Sequence, residues 1–168
     1  VYVNMPNIVE VLGKDNLREE LQIDIDKVMA EYKAIPKNED EIRFVERLTL
    51  EAVIKAVERH AGKIRYVYGP SGRNTLAEGK DLSQVKYIIG TGGALTRLPN
   101  RVDIMKHIAR HNDSGLLLFP NTDAQILVEN DYIMASLGVL SKRHEKAAMK
   151  LLAKSLGIEM PEKKRSEQ

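Results

Sequence analysis

Residues 88–99 read Ile-Ile-Gly-Thr-Gly-Gly-Ala-Leu-Thr-Arg-Leu-Pro, and this stretch decides the fold class. The apolar run over residues 85–89 predicts a buried strand, and the glycines after it predict a tight turn. Residues 101–111 then show apolar side chains at helical spacing. A strand that passes through a turn into a helix is typical of an α/β layer.

The same alternation continues toward the carboxyl end. Residues 116–119 are Leu-Leu-Leu-Phe and predict a second buried strand, closed by Pro120. Residues 131–140 and 144–156 predict two helices, the last ended by Gly157. Runs that are apolar on both faces indicate central strands covered by helices. The predicted fold class is therefore α/β, with helices packed on a mostly parallel sheet.

Helices dominate the first third of the chain. Residues 7–12 predict one or two helical turns ended by Gly13, and Asp15 or Asn16 is positioned to cap a second helix that runs to Pro36. Asn38 is positioned to cap a long amphipathic helix that ends near Ala61, with Gly62 as its stop.

An edge strand over residues 64–68 and a loop or loose hairpin over 69–82 lead to the glycine stretch. The predicted organisation has three parts. Residues 1–37 form a helical segment that belongs to an insertion subdomain, 38–158 an α/β lobe, and 159–168 a disordered tail.

Composition excludes several classes of function. With 43% hydrophobic residues, the 168-residue chain can form one domain, and 26 basic against 24 acidic residues argue against nucleic-acid binding. The run Lys163-Lys164-Arg165 predicts a solvated terminus. The absence of cysteine excludes disulfides and thiolate metal sites and is compatible with the cytoplasm. No signal or membrane-spanning pattern is present, and a start at Val1 indicates a piece of a longer protein.

The glycine turn is the candidate binding site. Ligands of open α/β sheets bind outside the carboxyl ends of strands, and glycine lets backbone approach a flat ring or a phosphate closely. Residues 90–93 fit neither the dinucleotide fingerprint nor the phosphate loop. The same glycines also suit a purely structural connection, so the turn by itself names no ligand.

Two motifs resemble the actin, hexokinase and heat-shock chaperone superfamily. Gly92-Gly93 followed by Thr96-Arg97-Leu98-Pro99 resembles its adenosine-binding segment, with one extra residue between the two parts. Asp131, Ala135 and Gly138 resemble positions of its late helix. The resemblance implies Asp131 as an N-cap, and Ala135 and Gly138 as close-packing positions.

A closer resemblance covers most of the chain. Residues 78–82, 88–99 and 132–141 resemble the C-terminal part of the MutL (GlmL) family, which accompanies adenosylcobalamin-dependent mutases such as glutamate mutase. That family is distinct from the DNA mismatch-repair protein of the same name. The resemblance implies a ribonuclease H-like, actin-like ATPase lobe, a mutase as partner, and ATP or ADP with Mg²⁺ in the full-length protein. It implies nucleotide contacts at Gly90, Thr91, Gly92, Gly93 and Arg97.

Phosphate-binding hairpins of that superfamily are missing from the sequence. No aspartate stands in the strand-Asp-x-Gly-[Thr/Ser] setting that grips phosphate and magnesium, so this chain alone is expected to lack ATPase activity. His107 and His111 have metal-chelating spacing but the flanking residues of a solvated helix face. The alternative is a non-enzymatic interaction or dimerisation module, in which the turn is structural and the helical first third docks a partner.

Overall fold

The computed structural model describes residues 4–112 and 115–159 of the chain. The helices are α1 Met5–Leu12, α2 Lys14–Leu21, α3 Ile25–Glu31, α4 Glu39–His60, α5 Gly93–Arg97, α6 Arg101–Arg110 and α7 Met134–Ser155. The strands are β1 Lys63–Gly69, β2 Gly72–Glu78, β3 Tyr87–Gly90 and β4 Gln125–Val128. The expected α/β class is confirmed. Residues 160–168, which include the basic run at 163–165 and nearly all of the expected disordered tail, lie outside the described residues.

The first four helices share one hydrophobic core. Its buried members come from α1 to α4: Val9, Leu17, Leu21, Ile25, Val28, Phe44 and Leu48. The predicted second helix, from residue 15 to 36, is wrong because it is two helices. Gln22 adopts a left-handed conformation (φ 54°) that ends α2, and the Asp24 side chain accepts from the Lys27 N–H at 3.1 Å to begin α3.

The long helix α4 forms where the sequence predicts it. Asn38 Oδ1 accepts from the Glu41 N–H at 2.9 Å, while the Glu41 carboxylate accepts from Asn38 Nδ2 at 2.9 Å and from the Lys37 N–H at 2.7 Å. These reciprocal bonds satisfy donors that a helix start leaves unpaired. A second cluster, Val45, Leu98 and Ile104, joins α4 to the segment after the glycine turn.

Strands β1 and β2 form an antiparallel hairpin, with Lys63 opposite Glu78 and Gly69 opposite Gly72. Gly62 precedes it, and a Cβ at that position would lie 2.4 Å from the Glu78 carbonyl oxygen. Gly62 therefore serves a close backbone approach besides following the helix.

The parallel pairing differs from the expectation. β3 pairs in parallel with β4, in the register Tyr87 to Gln125, Ile88 to Ile126, Ile89 to Leu127 and Gly90 to Val128. The strand predicted at 116–119 is wrong, because its backbone instead bonds to the beginning of β1: Ile64 N–H donates to Leu116 O at 2.7 Å and Leu118 N–H to Gly62 O at 2.8 Å. Within the described residues the strands form one antiparallel and one parallel pair, so the expected mostly parallel sheet is not found.

The two predicted carboxyl-terminal helices are confirmed as the two parts of α7, which meet at a kink. α7 is interrupted at His144, whose φ of −135° and ψ of 56° are not helical. Asp131 is not its N-cap, because α7 begins after Ile133 and a different carboxylate accepts from its first amides. Ala135 and Gly138 are exposed, so the close packing expected of them is not found among the described residues.

Candidate functional site

The glycine turn lies at the carboxyl edge of the parallel pair, as the sequence predicts. Gly90 ends β3, and its carbonyl accepts from the Glu129 N–H at 2.9 Å, which extends the pairing with β4 by one step. Gly90 is buried, and a Cβ there would lie 3.3 Å from the Met105 sulfur. This glycine lets α6 pack closely against the end of the strand.

Gly92 and Gly93 are open rather than covered. A Cβ at either position would meet nothing within 4 Å among the described residues. Gly92 has φ 97°, a conformation that favours glycine, and α5 begins at Gly93. Thr91 and Arg97, the two side chains implied by the resemblance, are both exposed.

The leucines after the turn do not close it. Leu98 is buried against Val45 and Ile104, and Leu95 packs on the same cluster. Both therefore contribute to the contact with α4. The open side of the turn is left to backbone and to the exposed Thr91.

Glu129 is the residue of this edge that sequence reasoning missed. It follows β4 directly and is fully buried, yet each carboxylate oxygen has a partner. Oε1 accepts from the Ile133 and Met134 N–H groups, and Oε2 accepts from the Thr91 hydroxyl. A carboxylate next to an apolar run was the only sequence signal available.

The charge of Glu129 is stabilised by these donors. Burial alone raises the pKa of this carboxyl group, but the hydrogen bonds from Thr91, Met134 and Ile133 outweigh it and leave the pKa below its ordinary value. The positive end of α7 favours the same charge. Glu129 is therefore an ionised acceptor that joins the glycine turn to the first turn of α7.

The segment after Glu129 is tied to the far end of α7. The Asn130 N–H and Nδ2 donate to the Ser155 carbonyl at 3.0 Å and 2.9 Å, and the Asp131 N–H donates to Ser155 Oγ at 3.2 Å. Ser155 is fully buried. Both ends of α7 are thus anchored near the carboxyl edge of the strands.

The structure brings Gly90, Thr91, Gly92 and Gly93 together in one turn. Arg97 is the last residue of α5 and lies outside that turn. Arg97 forms no ion pair with any described residue. No group of three histidine, aspartate or glutamate side chains in residues 4–112 and 115–159 has the arrangement of a metal site. His111 Nε2 instead lies 3.2 Å from Glu58 Oε1, and His107 is exposed.

Three aspartates outside the turn have structural partners. Asp24 caps α3, Asp26 pairs with Lys14 at 2.7 Å, and Asp81 accepts from the Ser83 N–H at 2.8 Å. Asp113 lies outside the described residues.

Among the helices of residues 4–112 and 115–159, none combines the length and apolar character needed to cross a bilayer.

Fold and turn together define an α/β unit with an open glycine turn at the carboxyl edge of a parallel strand pair. Residues 1–156 match the model of a family described as MutL protein. The chain is 34% identical over 131 residues to Protein MutL of Clostridium tetanomorphum, a match that covers 77% of this chain and 28% of that relative. This chain belongs to the MutL protein family. No solved structure matches it, so the actin-like lobe stays a prediction.

Proposed function

We propose that this chain is the C-terminal, adenosine-binding lobe of an ATP-dependent chaperone or reactivating factor. Its client would be an adenosylcobalamin-dependent mutase, such as glutamate mutase, in the cytoplasm. One observation carries the proposal: Gly92 and Gly93 present uncovered backbone at the carboxyl edge of a parallel strand pair. This is the edge at which open α/β sheets hold ligands.

The residues of the turn suit the adenosine half of a nucleotide. The bare backbone at Gly92 and Gly93 admits a flat ring without obstruction by a β-carbon. Arg97 is exposed one turn of helix away and carries a planar guanidinium, which stacks on an aromatic ring better than a lysine does. These contacts would bind and orient the nucleoside.

Hydrolysis is assigned to a part of the protein that this sequence does not contain. Bound Mg²⁺ would neutralise phosphate charge, but Asp24 already caps a helix, Asp26 pairs with Lys14 and Asp81 accepts from a turn amide. Phosphoryl transfer depends on positioning and charge stabilisation, and nothing in the turn supplies a phosphate grip. The isolated chain should therefore bind nucleotide weakly and leave it intact.

Family membership supports the role in a mutase system. Opening and closing of two lobes around ATP would pull on the bound mutase and let damaged cobalamin exchange. The matched segment covers 28% of its relative, which leaves room for a second lobe in that protein. The mutase is therefore the proposed partner, and neither nucleic acid nor membrane is a proposed ligand.

Two measurements test this function. Phosphate release by the 168-residue chain with Mg²⁺ and ATP should stay at background, and steady hydrolysis would contradict the division of labour. The intact protein, used as bait, should retain the mutase in at least one of the ATP, ADP and nucleotide-free states. No retention in any of the three would contradict the chaperone role.

A second candidate function is a protein-interaction module with a structural glycine turn. The hairpin β1–β2 favours it, because Tyr66, Val67, Tyr68 and Leu76 are 46–77% exposed. Replacement of Tyr66 and Tyr68 by serine tests whether the hairpin contacts the partner, and ATP binding by the intact protein tests whether the glycine turn is only structural. Loss of mutase capture with unchanged ATP affinity would assign the hairpin to the partner, while loss of neither would leave the nucleotide function alone.

A further inference from the structure

Thr91 and Glu129 form a hydrogen bond whose direction is determined by chemistry. Glu129 is ionised, and both of its oxygens act only as acceptors. The Thr91 hydroxyl has a single proton, which it donates in the hydrogen bond to the carboxylate. Toward any other partner, the hydroxyl oxygen can therefore act only as a hydrogen-bond acceptor.

The arrangement holds that orientation firmly. Glu129 cannot turn away, because its other oxygen accepts from two backbone N–H groups at the start of α7. Burial of the carboxylate excludes water as a competing donor. Thr91 itself is exposed on the turn, beside the open glycines.

We infer that Thr91, oriented by Glu129, is a specificity-determining residue that accepts a hydrogen bond from a donor group of the bound nucleoside. Three groups of an adenosine nucleotide have that chemistry: the amino group of the ring and the two ribose hydroxyls. A guanine ring, or the hypoxanthine ring of inosine, would instead present an oxygen acceptor at the position of the adenine amino group. A polar site rejects a ligand that leaves its groups unpaired, so Thr91 would favour adenosine nucleotides if it meets the ring.

The inference rests on the proposed function and is tested on the intact protein. ATP, purine ribonucleoside triphosphate, 2′-deoxy-ATP and 3′-deoxy-ATP are titrated into wild type, Thr91→Val and Thr91→Ser. The valine has the shape of threonine without the hydroxyl, and the serine keeps the hydroxyl as a matched control. Thr91→Val should weaken ATP binding about three- to tenfold, and Thr91→Ser should bind ATP like wild type.

The analogues identify the donor. Thr91→Val should leave unchanged the affinity of the one analogue that lacks the group bound by Thr91. The purine analogue would indicate the ring amino group, and a deoxy analogue would indicate that ribose hydroxyl. Equal weakening of all four ligands would show a structural effect and overturn the inference, as would no weakening of any.

Glu129→Gln gives a second measurement if the analogues indicate the amino group. The glutamine amide keeps its oxygen toward the α7 amides and donates from its NH₂ to the Thr91 oxygen. The Thr91 hydroxyl is then free to donate a hydrogen bond to the ligand. The affinity for ITP relative to that for ATP should then rise at least threefold, and an unchanged ratio of the two affinities would overturn the role of Glu129. Failure of wild type to bind ATP would overturn the proposed function as well, whereas ATP binding with insensitive variants overturns this inference alone.

Discussion

Glu46 of α4 holds Asn100 by two hydrogen bonds, from the Asn100 backbone N–H to Oε1 at 2.8 Å and from Nδ2 to Oε2 at 2.9 Å. Asn100 precedes α6, and its side chain makes no capping bond with that helix. The bonds therefore fasten the start of α6 to α4. They act beside the contact of Leu98 with Val45, and together these contacts hold the segment between the glycine turn and α6.

Glu46→Ala should lower the free energy of unfolding by about 1 kcal/mol, because a partly exposed pair of bonds to a carboxylate is lost. Glu46→Gln retains one acceptor oxygen and should lose less. Urea unfolding of the chain measures both. Equal midpoints for wild type and Glu46→Ala would show that the two bonds contribute nothing to stability.

Gly62→Ala should destabilise the chain by about 1–3 kcal/mol, because the added methyl group overlaps the Glu78 carbonyl, which is backbone and cannot move aside cheaply. Gly138→Ala is the matched control. Gly138 lies within α7 with open space around it, so alanine should stabilise that helix by up to about 1 kcal/mol. Thermal unfolding of both variants checks that the two changes in stability have opposite signs. A lower stability for Gly138→Ala would reveal a contact of Gly138 that the structure does not show.

Arg97→Ala should weaken nucleotide binding by the intact protein about two- to thirtyfold, since stacking of a guanidinium on a ring contributes about 0.5–2 kcal/mol. Arg110→Ala is the control, because Arg110 is an exposed arginine at the opposite end of α6 from the turn. Isothermal titration with ADP measures both variants. Equal affinities for the two variants would assign Arg97 to the surface alone.

Glu58 should contribute a pH-dependent part of the stability. The hydrogen bond from Lys55 at 2.7 Å, which outweighs the effect of burial, and the contact with His111 hold the pKa of Glu58 below its ordinary value. A carboxyl group with a lowered pKa stabilises the fold above its unfolded-state pKa of about 4.3, and this stabilisation disappears as the pH falls through the folded-state value.

The difference in unfolding free energy between wild type and Glu58→Gln should therefore be up to about 1 kcal/mol at pH 7 and should vanish in acid. Glu10→Gln is the control, because Glu10 is exposed on α1 and forms no ion pair with the described residues. Urea unfolding between pH 7 and pH 3 supplies the comparison. A difference that grows in acid would contradict the sign.

Features determined by neighbouring residues were predictable from the sequence. α4 begins after Asn38 because its cap, its first-turn acids and its apolar stripe all lie within one segment. The glycine turn was placed correctly because an apolar run followed by glycines is a local signal. The break at Gln22 was not predictable in the same way, since a left-handed glutamine carries no compositional mark.

Features determined by distant residues were not predictable. β4 has only four residues, and the more apolar run at 116–119 predicts the strand in its place, although that run bonds to the start of β1. Glu129 is buried only because Thr91, 38 residues away, and the start of α7 supply donors. A charged residue gives no indication of burial until its partners are known.

The hairpin β1–β2 has a consequence for protein engineering. All but one of its fourteen strand residues are exposed, and its tip, at Pro70 and Ser71, joins two short strands that pair mainly with each other. An epitope tag or a fluorophore-labelling peptide inserted at this tip should leave the helical core and the glycine turn undisturbed. The hairpin thus offers a handle for immobilising the molecule with its glycine turn free.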